Sequence, residues 1–122
     1  MQGQSNLQIL ALHTTSDTLQ ISIGTPTQSR TITAQVGREL GTYLHHYLDQ
    51  AVADNWHTLL AVAVHTGPGS QTGKRIGLAV AQTIASQLGI PVYQIDRAET
   101  SQVLLTAAWL QNCSTSLVPT KV

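Results

Sequence analysis

The sequence has no phenylalanine, and aromatic residues make up only 4% of its 122 residues. Hydrophobic residues still reach 42%, so a buried core has to consist of leucine, isoleucine, valine and alanine side chains. Charge is also scarce, because six basic and six acidic residues cancel to a net charge of +0. A protein that binds a phosphate backbone directly carries a basic face. The composition therefore argues against direct binding of nucleic acid.

Cysteine and long apolar runs are scarce as well. Cys113 is the single cysteine, which excludes an internal disulfide and a CxxC zinc site. No apolar run approaches the roughly 20 residues that span a bilayer, and Met1–Asn6 lacks the charge and the apolar core of a signal peptide. These absences predict one compact cytoplasmic domain over residues 1–122, without contact with a membrane.

The first third of the chain has the patterns of β-strands. Leu7–Leu12 is a short apolar run that ends in small polar residues, and Thr18–Ile23 alternates between apolar and polar positions. Arg30–Gln35 follows a break at residues 24–27 and offers a third, weaker strand. Three consecutive strands joined by short turns predict an antiparallel meander.

The period then changes to that of helices. Arg38–Ala53 and Thr72–Leu88 repeat apolar residues at the spacing of one helix face. Leu59–Val64 is a continuous apolar run, typical of a strand that is covered on both faces, and Val92–Ile95 is predicted as another buried strand that ends at Asp96. A last helix begins near Thr100. The order β-β-β-α-β-α-β-α predicts an α/β fold, a mixed five-stranded sheet with helices on its faces. Beyond the last helix, residues 117–118 suggest the start of one more strand.

The most informative segment is the glycine-rich loop between the run at 59–64 and the helix at 72–88. Backbone N–H groups and the helix dipole favour an anion at such a junction. The candidate anion site consists of Gly67, Pro68, Gly69, Ser70 and Thr72.

Two phosphate-binding motifs can be tested against this loop. A P-loop needs glycine where Pro68 stands and serine or threonine where Arg75 stands. A dinucleotide-binding loop needs two residues before its last glycine, whereas three separate Gly69 from Gly73. Asp96, at the end of the next predicted strand, has the position of a ribose-binding acid and keeps the dinucleotide hypothesis open. The alternative that the glycines serve close packing of the helix also stays open.

A longer pattern runs through the same loop: Gly67-Pro68-Gly69-Ser70-x-Thr72-Gly73-x-Arg75-Ile76-Gly77. It resembles the signature of the TsaB family, which also contains TsaD and was once labelled glycoprotease. Ile9–Leu12 with the following Thr14–Ser16, and Leu88–Val92, match the same family in the right order. The resemblance implies the first half of an actin-like ATPase (ribonuclease H-like) fold, so residues 1–122 are expected to form the first domain alone, without the second domain of the family.

The resemblance also implies a function. It implies support for the synthesis of threonylcarbamoyladenosine on tRNA, in which TsaD performs the transfer and TsaB is a catalytically silent partner. Catalytic residues, cofactors and metals are therefore not expected. The implied partners are a TsaD-like protein or a second copy, with a TsaE-like ATPase in a larger complex, and tRNA is contacted only indirectly. The alternative hypothesis is a small nucleotide-binding enzyme that uses the loop Gly67–Gly73.

In this family the partner contact is made by the two helices that here are predicted at 38–53 and 72–88. The residues expected at the contact are Leu40, Tyr43, Leu44, Tyr47, Thr72, Gly73, Arg75, Ile76, Gly77 and Val80. One departure from the family concerns the first strand. His13 stands where the family commonly has an aspartate, which argues against magnesium–ATP at this position.

His13 and His65 each end a strand that is predicted to be parallel to the other, so their rings are expected to meet at one rim. A metal or phosphate site there lacks a third ligand, and ordinary rim histidines are the alternative. Ser70 is either a nucleophile with one of these histidines as its base or a helix cap, and the helix start favours the cap.

Overall fold

The computed structural model describes residues 7–117 and the side chains of residues 7–113. The strands are β1 (Gln8–His13), β2 (Thr18–Thr25), β3 (Gln28–Gln35), β4 (Leu59–His65) and β5 (Val92–Ile95). The helices are α1 (Leu40–Val52), α2 (Gln71–Leu88) and α3 (Ser101–Leu117), with short 3-10 turns at Gly37–Glu39 and Trp56–Thr58. The predicted order β-β-β-α-β-α-β-α is confirmed within the described residues.

The five described strands form one mixed sheet in the order β3-β2-β1-β4-β5. β1 pairs antiparallel with β2 and parallel with β4, and β4 pairs parallel with β5. The meander predicted for the first three strands is confirmed, since β2 also pairs antiparallel with β3. Because β1, β4 and β5 run in the same direction, their carboxyl ends meet at one rim of the sheet.

The two faces of the sheet differ in side-chain size. Side chains alternate between the faces of a strand, so Leu10 and Val62 face α1 and α2, whereas Ala11 and Ala63 face α3. α3 contributes Leu104, Leu105 and Ala108 to the core on its face. The core is aliphatic on both faces, as the composition predicts, and the small alanines allow α3 to lie close to the sheet.

The helix boundaries follow from local chemistry. Ser70 Oγ accepts a hydrogen bond from the Gly73 N–H and caps α2, which confirms the capping interpretation, and α2 ends at Gly89 in the left-handed conformation (φ 69°). The predicted helix 38–53 begins as the 3-10 turn, so α1 itself starts at Leu40. The suggested strand at 117–118 is wrong at Leu117, which ends α3. Residues 1–6 and 118–122 lie outside the described part of the chain.

No helix within residues 7–117 has the length and the apolar character that a membrane crossing requires.

Candidate functional site

The rim formed by the carboxyl ends of β1, β4 and β5 carries most of the polar residues that the sequence singled out. His13 is the last residue of β1, and Thr14 and Thr15 follow it. His65 is the last residue of β4, and the glycine-rich loop follows it. An open cleft of about 690 Å³ lies at this rim. Its lining residues are His13, His65, Pro68, Asp96, Arg97, Ala98, Glu99 and Val103.

The two rim histidines meet, as the parallel strands predict. Their rings stack with centroids 4.3 Å apart and planes inclined by 10°, and the side chains are only 7% and 5% exposed. His13 Nε2 lies 2.8 Å from the Ala98 carbonyl oxygen. Because a carbonyl can only accept, His13 Nε2 carries a proton and donates it. His65 Nδ1 shares a hydrogen bond of 2.7 Å with Thr15 Oγ1.

The environment of His65 favours its neutral form. Burial lowers the pKa of His65 below its ordinary value of 6.5, and the adjacent His13 ring and Lys74 act in the same direction. The Asp96 carboxylate and the Asp96 backbone carbonyl raise the pKa of His65, but they do not reverse the shift. His65 is therefore neutral at about pH 7.

Thr14 and Thr15 hold the glycine-rich loop and the start of α2 against β1. The Ser70 N–H donates to the Thr15 carbonyl over 2.8 Å, and Thr14 Oγ1 donates to the Gly73 carbonyl over 2.8 Å. A Cβ on Gly73 would lie 2.0 Å from the Thr14 carbonyl oxygen, and one on Gly77 would lie 2.3 Å from Thr14 Oγ1. These two glycines therefore permit close packing within the chain.

Gly69 has a related role in the loop itself. Its φ of +140° is a conformation that side chains rarely adopt, and a Cβ there would lie 2.4 Å from the Thr15 carbonyl oxygen. Gly67 is buried. A Cβ on this residue would clash with the Asp96 carbonyl and with the edge of the His65 ring. The lack of a side chain at both glycines therefore allows the loop to lie against the residues that follow β1 and β5.

The candidate anion site lies partly on the surface of the chain. Pro68, Gly69, Ser70 and Thr72 are exposed and Gly67 is buried. Several N–H groups that a phosphate cradle needs are engaged inside the chain: Ser70 with Thr15, and Gly73 and Lys74 with Ser70. This geometry favours a structural loop, and anion binding stays a prediction.

Metal binding gains no support from the described residues. Within them, no group of three or more histidine, cysteine, aspartate or glutamate side chains lies close enough together to hold an ion. Every buried side-chain nitrogen or oxygen among them also has a hydrogen-bond partner. The rim histidines are therefore part of an internally satisfied polar network.

The structure divides the residues expected at a partner contact into two groups. Leu40, Leu44, Gly73 and Gly77 are buried within the chain itself, so a partner cannot reach them, and their place in the expected contact is corrected. Their helical spacing showed that they share one side of a helix. It did not show that the sheet of the same chain covers that side. The remaining six lie on the outer surface of α1 and α2, either exposed or half-buried: Tyr43, Tyr47, Thr72, Arg75, Ile76 and Val80.

A groove between α1 and α2 was not predicted from the sequence. Its volume is about 610 Å³, and its apolar part includes Leu48, Trp56, Val80, Ile84 and Leu88. Leu88 is 38% exposed there. The sequence signal for it is Trp56, one of only two tryptophans in the chain. The exposed surface of α1 and α2, together with this groove, forms one continuous surface that we call the outer helical face.

Comparison with known proteins places these features in a family. A family model described as TsaD, tRNA N6-adenosine threonylcarbamoyltransferase, matches residues 36–117. Two solved structures share the fold: YeaZ from Pseudomonas aeruginosa, and an uncharacterized protein with similarity to peptidase YEAZ from Pseudomonas aeruginosa. Each superimposes with a TM-score of 0.68 and 22% identity over 74% of this chain. Comparison with curated proteins gives no significant match.

The chain spans 44% and 43% of the lengths of these two structures. The structural likeness confirms the fold class expected from the sequence, because YeaZ has the actin-like ATPase fold. The glycine-rich loop lies inside the matched residues 36–117. With well over half of the chain matched, the protein belongs to the TsaD family, and its fold is that of the TsaB-like members.

Proposed function

We propose that this chain is a TsaB-type partner protein that supports threonylcarbamoyladenosine modification of tRNA in the cytoplasm. It binds a TsaD-like protein, or a second copy of itself, through the outer helical face, and it performs no transfer chemistry. The observation that carries the proposal is the apolar groove between α1 and α2 on a chain of the TsaD family.

The chemistry of the outer helical face suits a protein partner. Tyr43 is 43% exposed and Leu88 is 38% exposed, while Tyr47, Ile76 and Val80 are half-buried. Tyrosine is one of the residues most enriched among the anchors of protein interfaces, and apolar side chains form the buried centre of such contacts. An apolar groove of this kind is rarely left open to water in a functional assembly.

The rim supports a non-catalytic role. A nucleophile needs a neighbouring base that is free to accept its proton. Ser70 Oγ instead accepts the Gly73 N–H, and His65 Nδ1 is engaged by Thr15. The nucleotide-binding alternative keeps one supporting observation, namely that Asp96 lines the same cleft as Pro68 of the loop.

Light scattering after size-exclusion chromatography tests the proposal, first on the chain alone and then with the TsaD-like protein of the same organism. Tyr43→Asp and Leu88→Asp place a charge on the outer helical face and should weaken association at least about tenfold. Leu110→Asp is the matched control, because Leu110 is 63% exposed on α3 at the opposite face of the sheet.

Equal affinity for the charged variants and the control would remove the outer helical face as the contact. If the chain binds no TsaD-like protein and forms no dimer, the partner role is wrong. ATP titration by calorimetry then tests the alternative, because a nucleotide-binding enzyme should bind ATP or a dinucleotide as a monomer.

A further inference from the structure

The stacked pair of His13 and His65 lies at the rim, away from the outer helical face, and the proposed partner contact does not use it. The chain has five histidines, and the other three, at positions 45, 46 and 57, are exposed. His13 and His65 alone among the five are buried, and they stack at 4.3 Å. Such a pair is sensitive to protonation because two charged rings repel each other at this distance.

The pair joins four parts of the fold. His13, at the end of β1, donates to the carbonyl of Ala98, which lies in the segment just before α3. His65, at the end of β4, bonds to Thr15 Oγ1. The Thr15 carbonyl in turn accepts the N–H of Ser70, the cap of α2. Hydrogen bonds therefore link the two rings to the segments that begin both α2 and α3.

The charged groups around the pair set how many protons it can hold. Lys74 on α2 and the opposite histidine disfavour a positive charge on His65, and Asp96, after β5, favours it. Arg97 and Glu99 also line the cleft, with opposite charges. The Asp96 carboxylate favours a positive charge on His65, whereas a charge on both rings would bring two buried positive groups into contact at 4.3 Å.

We propose that His13 and His65 form a pH-sensitive latch: it is closed while at most one ring is protonated, and it opens when both are. Opening breaks the contacts to Ala98 and Thr15, so the starts of α3 and α2 loosen from the strand ends. Acid that charges both rings then lowers the order of the loop that precedes α2.

The stability of the folded chain should decrease as the pH falls. The pKa of His65 is lowered in the folded chain, so the unfolded chain binds the proton first as the pH falls. The contribution of His65 to stability is complete above its unfolded pKa of about 6.5. It is lost progressively below that pH, down to the lowered pKa of the folded state.

Nuclear magnetic resonance on the unmodified chain tests the latch directly. The ring signals of His65 should titrate below the ordinary histidine pKa of 6.5. Amide protection of Ser70, corrected for intrinsic exchange, should fall at least about tenfold between about pH 7.5 and about pH 5.5. The Ala53 amide, which bonds to Asp49 at the far end of α1, should show no such loss.

A variant pair separates the latch from ordinary acid sensitivity. His65→Gln keeps a side chain that can bond to Thr15 but removes the titrating ring. The Tm of this variant should therefore decrease less than that of the unmodified chain when the pH is lowered. His57→Gln, at an exposed histidine, should keep the wild-type pH dependence. If His65→Gln does not fold, the titration of the unmodified chain still decides.

Two results would overturn the latch. One is that the His65 ring titrates at or above its ordinary pKa of 6.5 while the Ser70 amide stays protected in acid. The other is that His65→Gln folds and retains the full loss of Tm in acid.

Discussion

An alanine in place of Gly77 tests how tightly α2 packs against the end of β1. The new Cβ would lie 2.3 Å from Thr14 Oγ1, whereas non-bonded heavy atoms prefer about 3.5–4 Å. Thr14 is fully buried, and its Oγ1 donates to the Gly73 carbonyl. The threonine side chain can make room only by breaking this hydrogen bond and pressing on its neighbours.

The size of the effect follows from three contributions. Overpacking costs about 1–3 kcal/mol, and loss of the Thr14 hydrogen bond costs about 1 kcal/mol more. Alanine returns about 1 kcal/mol through its higher helix propensity. Gly77→Ala should therefore lower the free energy of unfolding by about 1–3 kcal/mol.

Gly41→Ala is the matched control, because Gly41 is also a helical glycine. A Cβ there meets Ile76 Cδ1 at 3.6 Å, which is an ordinary contact. This variant should raise the free energy of unfolding by up to about 1 kcal/mol. Urea denaturation followed by circular dichroism measures both variants, and the two changes should have opposite signs.

A double variant identifies the clashing group. Thr14→Ala removes the hydroxyl that the new Cβ of Gly77→Ala would contact. The double variant should therefore lose about 1 kcal/mol less unfolding free energy than the two single variants lose together. Strict additivity, or a Gly77→Ala protein as stable as Gly41→Ala, would refute the close packing of α2 on Thr14.

Two further stability changes follow from single hydrogen bonds and can be measured in the same denaturation assay. Ser70→Ala removes the cap of α2 and should cost about 1 kcal/mol; an unchanged midpoint would show that another group satisfies the Gly73 N–H. Ser22→Ala should cost about 1–3 kcal/mol, because Ser22 Oγ bonds to Ser101 Oγ at 2.6 Å and to Thr31 Oγ1 at 2.7 Å. Stability equal to that of the unmodified chain would mean that the buried Ser101 hydroxyl finds a new partner.

The strands and helices could be predicted because their signals are local. The alternation in Thr18–Ile23 and the helical spacing of Thr72–Leu88 each lie within one segment. The capping role of Ser70 is local too, since its partner is three residues away. The same holds for Gly89 at the end of α2, where a residue without a side chain adopts a positive φ.

The site could be predicted only in part, because its contacts join distant segments. Because His13 and His65 end two parallel strands, the contact between their rings could be predicted from the strand order. The Ala98 carbonyl, which bonds to His13 from 85 residues away, had no signal in the sequence. Gly73 and Gly77 were expected to face a partner, because periodicity shows which residues share a side of a helix and not what covers that side.

The position of β1 in the sheet has a consequence for the order of folding. Its antiparallel neighbour β2 is adjacent in sequence, but the contacts between Thr15 and His65 close a separation of 50 residues. Contacts of such sequence separation form slowly, because closing the loop between them costs chain entropy before the contact is gained. α2 packs against both strands, since Gly77 lies next to Thr14 after β1 and next to Val64 in β4, so the paired strands form the surface on which α2 docks. A chain in which β1 and β4 are unpaired lacks the surface that holds α2 in place, so we expect the outer helical face to form late in folding.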